Sequence, residues 1–187
     1  MTAVMPALVL RQSISSTVLG LVADGREAAA AWTRQLPVDV LAEAARLAAR
    51  GAFRHRTSAD TASPAGAIDA VLGPLGGAAS WPALARDLGQ MLGLMALSEP
   101  FKGCNLRLEV VDDDGCRLFY ADRVNIRLLC TYVGPGTELQ FDSAVTQVEA
   151  GAVLLMRGTL SRHGPGVLHR SRPNPGRVPR LLVAVDA

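Results

Sequence analysis

The feature of this chain that most constrains its fold is a change in the spacing of its apolar residues near Gly103. Before Gly103, apolar residues recur at helical spacing, whereas after it they alternate with polar ones, as in half-buried strands. Seven short alternating segments follow at intervals of roughly 8 to 12 residues, separated by turns rich in glycine and proline. The pattern predicts an α+β protein: a helical N-terminal layer over residues 1–103 packed on an antiparallel jelly-roll-like barrel over residues 104–187, as one compact unit.

The N-terminal part contains three predicted helical regions. Apolar spacing predicts two helices between residues 24 and 52, separated by Pro37, and a third that begins at Pro82, a residue suited to a first turn. Between the second and the third of these helices, residues 54–80 are rich in Arg, Ser, Pro and Gly. They are predicted to form a loop with a short helix over 67–72. The third helix has an apolar stripe that would pack on the barrel or on a second copy in a homodimer: Leu84, Leu88, Met91, Leu92 and Met95.

The C-terminal part contains seven predicted strands. Their bounds are 105–111, 116–121, 126–133, 144–148, 152–157, 167–171 and 180–185. The glycine-rich segment 134–138 lacks the Lys-Ser/Thr pair and the following helix of a phosphate-binding loop, so we interpret it as a turn of the barrel.

Composition narrows the class of protein. The chain has 187 residues, 49% of them hydrophobic, and a formal net charge of +2. It lacks the ~20 continuous apolar residues of a transmembrane helix, and its N-terminus lacks the features of a signal peptide. Three cysteines, Cys104, Cys116 and Cys130, form no C-x-x-C pair, which favours a reducing compartment. Basic residues do not cluster with aromatic ones, so we expect no nucleic-acid or membrane partner and predict a cytoplasmic location.

Only three histidines are available for metal binding or acid–base chemistry: His55, His163 and His169. His55 lies between two arginines in the predicted loop and is interpreted as a surface residue. His169 lies on a short strand after a glycine-rich turn, on the face expected to point into the barrel. Glycines three, five and eleven residues before it, and Asn174 five residues after it, resemble a loosened form of the second cupin motif. The histidine of that motif binds a metal inside a double-stranded β-helix.

A longer resemblance covers residues 105–187 well and residues 32–36 loosely. The segments that carry it are N-L-R-L-E from Asn105, C-x2-F-x2-D from Cys116, R-L-L-C-T-Y-V-G-P-G-T-E from Arg127 and H-R-S from His169. They resemble a bacterial family of uncharacterised proteins, the domain of unknown function 1826. The family pattern reads approximately C-x2-F-H-x-D, R-L-L-x-T-Y-x-G-P-G-T-E and G-x2-H-R-S-P before a final R-L-L strand. The resemblance implies a cupin-like double-stranded β-helix with a metal centre in its mouth.

The resemblance implies that Asp122 and His169 are metal ligands, but Tyr120 stands where the family pattern has the first histidine. A deprotonated phenol binds Fe(III) or Cu(II), but a phenol is a poor ligand for Fe(II) or Zn(II) at neutral pH. Three alternatives follow: Tyr120 is a ligand of an altered centre, His163 supplies the missing imidazole, or the site has lost its metal. Cys116 is a further candidate thiolate ligand, although a buried apolar role is the simpler interpretation.

Arginine predominates among the 19 basic residues, since Lys102 is the only lysine, and a GC-rich genome accounts for most of this bias. Arg180 lies eleven residues after His169. In 2-oxoglutarate oxygenases a basic residue at about this distance binds the far carboxylate of the cosubstrate, a task that suits a bidentate guanidinium. Arg127 is expected in the interior of the barrel or at its rim. Tyr120 and Arg127 are therefore candidate catalytic residues, and Arg180 is a candidate cofactor-binding residue.

These features together predict a metal-dependent, oxygenase-type oxidoreductase that acts on a small anionic molecule, such as a carboxylate. Fe(II) is the expected metal, with Zn(II) or Cu(II) as alternatives, and 2-oxoglutarate is a candidate cosubstrate. One alternative is a non-catalytic protein that binds a metal or a ligand and is linked to zinc homeostasis, as the association of the family with zinc-responsive genes suggests. Another is a pseudoenzyme that acts through its helical layer.

Overall fold

The computed structural model describes residues 9–60, 63–98, 103–113 and 117–187. The α-helices within these ranges are α1 (Gly20–Ala23), α2 (Val38–Ala48), α3 (Ala65–Leu72) and α4 (Pro82–Ser98), and none of them has both the length and the hydropathy needed to cross a membrane. The strands are β1 (Leu10–Ser13), β2 (Ala29–Trp32), β3 (Phe53–Ala59), β4 (Cys104–Val111), β5 (Ile126–Val133), β6 (Thr137–Phe141), β7 (Ala144–Val148), β8 (Val153–Arg157), β9 (Leu168–Ser171) and β10 (Arg180–Asp186). Short 3-10 turns lie at Ser16–Leu19, Gly73–Leu75 and Ala78–Ser80.

The strands form two sheets with an apolar core between them. The larger sheet has the order β1-β2-β8-β5-β10-β4-β3, and the smaller sheet has the order β7-β6-β9. Side chains of β2, β5, β8 and β10 meet those of the smaller sheet; they include Leu129, Leu139, Leu154, Met156 and Leu182. In the described part of the chain, β3 and β4 contribute nothing to this core. The face of the larger sheet that packs on the smaller one is its inner face. This inner face therefore extends beyond the core, over β4 and β3.

The helices cover the other face of the larger sheet. Helix α2 contacts β5 and β10, and α4 contacts α2 and β10. The five residues of the predicted apolar stripe on α4 are each at most 2% exposed. They belong to the same core cluster as Leu108, Leu128 and Val183 of the sheet. The stripe thus packs on the barrel sheet, which was one of its two predicted partners.

The predicted helix before Pro37 is wrong. The chain forms the short helix α1 and then β2, which pairs in parallel with β1 and antiparallel with β8. Alanine favours a helix in isolation, but Ala29, Ala30 and Ala31 are fully buried in the middle of the sheet. Pairing with β8, more than a hundred residues away, outweighs a local preference of a few tenths of a kcal/mol per residue.

The predicted loop over residues 54–80 is also wrong in its first part. Residues 53–59 form β3, which pairs antiparallel with β4, whereas the predicted short helix over 67–72 is confirmed as α3. The segment interpreted as a barrel turn continues into β6 from Thr137 onward. The α+β class is confirmed, but residues 1–103 are not a helical layer alone, because they contribute β1, β2 and β3 to the larger sheet.

The start of α4 depends on one buried carboxylate of α2. Glu43 accepts hydrogen bonds from the main-chain nitrogens of Ala83 (3.2 Å) and Leu84 (2.8 Å), two amides that the first helical turn leaves without a partner. We expect Glu43→Ala to lower the free energy of unfolding by about 1 kcal/mol, measured by urea denaturation. Glu149→Ala removes a carboxylate that is 72% exposed and serves as the control. Equal losses in both variants would contradict this role for Glu43.

Candidate functional site

A polar pocket opens between β6 and β9 of the smaller sheet and β4, β5 and β10 of the larger one. It encloses about 340 Å³ of space, its open mouth included. Strand alternation brings its side chains together, because every second residue of β5 and β10 faces the smaller sheet. The lining residues are Arg107, Glu109, Tyr120, Arg127, Leu129, Thr137, His169, Arg170, Ser171, Arg180 and Leu182.

Two of the predicted metal ligands meet at the wall of this pocket, which His169 lines and Asp122 does not. The Nε2 atom of His169 lies 3.0 Å from Oδ2 of Asp122, although 46 residues separate them in the chain. The predicted strand over 116–121 is reduced, in its described part, to a bridge in which Tyr120 and His169 exchange two main-chain hydrogen bonds of 3.1 and 2.9 Å. This bridge holds the segment before Asp122 against β9.

The imidazole of His169 is oriented from both sides. It is 4% exposed, as predicted for an inward-facing residue. Its Nδ1 atom lies 3.3 Å from the carbonyl oxygen of Val167, an acceptor that only an N–H can satisfy. Nε2 therefore faces Asp122, which is the orientation that a metal-binding histidine requires.

Arg127 lies inside the pocket and is fully engaged there. Its Nε and one terminal nitrogen donate to the two carboxylate oxygens of Asp186, at 2.6 and 2.8 Å, and its other terminal nitrogen contacts Oδ2 of Asp122. Burial alone would raise the pKa of Asp122, but His169 and Arg127 outweigh it and hold that pKa below its ordinary value of 3.8. Asp122 is therefore an anion whose charge Arg127 already balances in part.

Tyr120 stands beside the Asp122–His169 pair. Its ring centre lies 4.6 Å from that of His169, with the ring planes tilted by 46°, and the residue is 38% exposed at the mouth of the pocket. A side chain at this position can reach the same space as His169. The roles predicted for Tyr120 and Arg127 in catalysis stay predictions.

Arg180 closes the far end of the pocket. It is 6% exposed, and its terminal nitrogens donate to the hydroxyls of Ser171 (2.6 Å), Thr131 (3.1 Å) and Thr137 (3.0 Å). Its Nε atom is buried without a partner, and among the described residues no carboxylate pairs with the guanidinium. Burial lowers the pKa of Arg180 to about 10, and Glu109 nearby offsets only part of that effect.

The turn after β5 allows this close approach. Gly134 has φ of +86°, and a Cβ atom there would lie 2.9 Å from the carbonyl oxygen of Pro179 and 3.0 Å from Cα of Arg180. Only glycine lets the two segments pass so closely. The predicted turn at this glycine thus helps to place Arg180 in the pocket.

His163 does not lie in this pocket, which corrects its prediction as the missing imidazole. Its ring packs over Gly25, where a Cβ atom would lie 2.3 Å from Nδ1, and its Nε2 accepts a hydrogen bond from Arg162. Its main-chain oxygen accepts a hydrogen bond from Arg157. Cys116, the candidate thiolate, lies outside the described residues.

His55 is not the surface residue that the sequence predicted. It lies on β3 with its ring toward the helices, half-buried, and Nδ1 is 2.9 Å from the carbonyl oxygen of Val71. The strand that the sequence missed turns this side chain away from solvent. It is a structural contact and does not line the pocket.

Sequence reasoning missed several residues of the pocket. Arg107, Glu109 and Thr137 line the pocket, and Thr131 and Asp186 accept hydrogen bonds from arginines that line it. Strand parity could have found Thr131 and Asp186, because each shares a face with a predicted arginine on its own strand. Arg107 and Glu109 gave a weaker signal: two opposite charges on the polar face of a strand are usually solvated.

Comparison with known families identifies the chain. The profile of the proteins of unknown function DUF1826 matches residues 13–186, which is most of the sequence. The chain belongs to the DUF1826 family. The predicted resemblance is confirmed, and this DUF1826 protein matches no curated protein significantly.

Solved structures with a similar fold include oxygenases from a plant and from bacteria. A dioxygenase for auxin oxidation from rice is 15% identical with a TM-score of 0.56, over 96% of this chain and 82% of that one. A protein assigned to the 2OG-Fe(II) oxygenase family from Caulobacter crescentus is 16% identical with a TM-score of 0.53, over 97% and 86%. A prolyl-4-hydroxylase from Pseudomonas putida is 14% identical with a TM-score of 0.54, over 93% and 98%. This DUF1826 protein therefore shares the jelly-roll fold of these structures.

A metal held by three His, Cys, Asp or Glu side chains does not fit the described residues of this DUF1826 protein. In the described ranges, no group of three His, Cys, Asp or Glu side chains lies close enough to hold an ion. A divalent ion held by two does fit, because Oδ2 of Asp122 and Nε2 of His169 converge to 3.0 Å and the other ring nitrogen of His169 faces a carbonyl.

Proposed function

We propose that this DUF1826 protein is an oxygenase-type oxidoreductase that uses a small dicarboxylate, 2-oxoglutarate, as cosubstrate and acts on a small anionic molecule. One observation carries the proposal. His169 and Arg180 line one pocket, where His169 contacts Asp122, the other candidate metal ligand. Arg180 is a buried guanidinium that has no carboxylate partner among the described residues. A pair of candidate metal ligands and a buried cation together fit a ligand that chelates a metal ion at one end and carries a negative charge at the other.

Arg180 would bind the far carboxylate of the cosubstrate. Transfer of an isolated charge from water into a protein is costly, so a buried guanidinium without a counter-ion favours an anionic ligand. The hydroxyls of Thr131, Thr137 and Ser171 hold the guanidinium in place, and the unpartnered Nε supplies a further donor for a carboxylate oxygen.

Asp122 and His169 would hold the metal, and Arg127 would position Asp122. When bound, Fe(II) supplies the redox chemistry that converts 2-oxoglutarate and O2 to succinate and CO2, with one oxygen atom of O2 passing to succinate and the other to the substrate. Arg127 stays anchored on Asp186 by two hydrogen bonds and can release Asp122 without losing its counter-ion.

A second candidate function is the binding of an anionic ligand without catalysis. The observation that favours it is the contact of Arg127 with the same oxygen of Asp122 that faces His169, since it lowers the affinity of that oxygen for a cation. In this case the pocket would bind the dicarboxylate through Arg180 alone. The predicted link to zinc homeostasis would belong to this candidate and stays a prediction.

Anaerobic titration with Fe(II) and 2-oxoglutarate, followed by absorbance, tests the proposal. We expect a charge-transfer band that Asp122→Ala and His169→Ala each abolish, because each removes one of the two metal ligands. His163→Ala is the matched control and should leave the band unchanged. Binding of 2-oxoglutarate without any bound Fe, Zn or Cu would overturn the enzyme proposal in favour of the second candidate, and binding of neither would overturn both.

A further inference from the structure

We propose that Arg56 and Arg107 bind an anionic group of the substrate, a carboxylate or a phosphate, on the part of the larger sheet that extends past the core. This inference rests on the proposed function, because it assigns the substrate end of the same pocket. It comes from β3, one of the strands that sequence patterns did not predict. Neither arginine is a candidate residue of the metal or cosubstrate site.

The pairing of β3 with β4 places two arginines opposite each other. Arg56 and Arg107 are cross-strand partners in the antiparallel register, and so are Arg54 and Glu109. All four belong to the inner face, since Arg107 and Glu109 line the pocket and Arg54 donates to the carboxylate of Glu109. Like charges directly opposite on one face of a sheet are destabilising, so the Arg56–Arg107 pair favours an anion between them.

The charges around this pair are not balanced by the protein. Glu109 is bonded to Arg54, and its other oxygen lies 3.4 Å from Nε of Arg107 without forming a hydrogen bond. That Nε atom is buried and lacks a hydrogen-bond partner, and within the described ranges no carboxylate pairs with Arg56. Among the described side chains of β3 and β4 on this face, one carboxylate therefore faces three guanidiniums.

The position of the pair suits a substrate and not the cosubstrate. On β10, Arg180 is opposite Val111, whereas Ala184 is opposite Arg107. Four residues of strand separate the two positions, which corresponds to roughly 13 Å. Arg107 is thus at the end of the pocket where Asp186 and Arg127 support Asp122, next to the reacting centre of the proposed function. An anion at Arg180 and another at Arg107 can be bound together.

Isothermal titration with two probes tests the inference on protein saturated with 2-oxoglutarate. The probes are inorganic phosphate and succinate, and the one that binds more tightly indicates whether the group is a phosphate or a carboxylate. We expect at least one to bind, and Arg56→Gln and Arg107→Gln each to weaken it about tenfold, or about 1.4 kcal/mol. Arg86→Gln, which removes an exposed arginine from α4, should have no effect.

Two results would overturn the inference: no binding of either probe to the saturated protein, or binding that neither variant weakens. Arg56 is exposed, so its replacement leaves the fold intact even if that of Arg107 does not. Failure of the proposed function is recognised separately, because then 2-oxoglutarate itself does not bind. In that event, phosphate and succinate are titrated into Arg180→Met protein without 2-oxoglutarate, which tests the Arg56–Arg107 site alone. The same two results would overturn the inference.

Discussion

Replacing Arg180 by methionine is expected to weaken the binding of 2-oxoglutarate roughly 100-fold, or about 2.7 kcal/mol, while leaving the ligand-free protein at least as stable as before. The two effects have one physical origin. The guanidinium is buried with no counter-ion among the described residues, so its burial is unfavourable, and a ligand carboxylate would compensate for that cost.

Weaker binding of 2-oxoglutarate together with undiminished stability distinguishes a ligand site from a structural ion pair. If Arg180 were a structural cation, its loss would lower stability, because three hydroxyls lose their donor and no ligand is involved. Calorimetric titration of 2-oxoglutarate and urea denaturation measure the two quantities. Arg172→Met removes a half-exposed arginine just beyond β9 and is the control for both. A variant that is less stable but binds normally would contradict the assignment of Arg180.

The second large effect is expected from Tyr120→His. Histidine at this position would complete a set of two imidazoles and one carboxylate, because the ring of residue 120 already lies 4.6 Å from that of His169 and shares its pocket. We expect the affinity for Fe(II) or Zn(II) to rise at least tenfold, which corresponds to about 1.4 kcal/mol. Metal titration under anaerobic conditions, without 2-oxoglutarate, measures this directly.

Tyr120→Phe is the matched control, since it keeps the ring and removes only the hydroxyl. If the phenol does not bind the metal, the phenylalanine variant should have the affinity of the unmodified protein. A fall in affinity would identify Tyr120 as a ligand of an altered centre, one of the three alternatives that the sequence left open. An unchanged affinity in Tyr120→His would mean that residue 120 is not at a ligand position.

The parts of the fold that the sequence predicted well are those whose periodicity is long and local. Helix α4 has its apolar stripe on a single face, and β5 and β10 are long strands bounded by turn residues. Strands β2 and β3 could not be predicted in the same way. The first consists mainly of alanine, and the second carries two arginines, so both are strands only because distant partners pair with them.

The residues of the candidate site also differ in how far the sequence could predict them. The family resemblance selected Asp122 and His169, the distance from His169 selected Arg180 by likeness to 2-oxoglutarate oxygenases, and strand alternation indicated an inward-facing Arg127. The sequence could not exclude His163, whose position depends on the packing of its ring over Gly25 in a distant segment.

The sequence by itself determined the residue types of the candidate site: a carboxylate and an imidazole of the kinds that bind metals, a tyrosine near them, and arginines on inward-facing strand positions. Only the tertiary structure decided how their charges are used. It neutralises Arg127 with Asp186 and Asp122, leaves Arg180 without a carboxylate partner in the described chain, and brings Arg56 opposite Arg107. The physical reason is that electrostatic balance depends on distances of a few ångströms between segments far apart in the chain, which spacing along one strand does not specify.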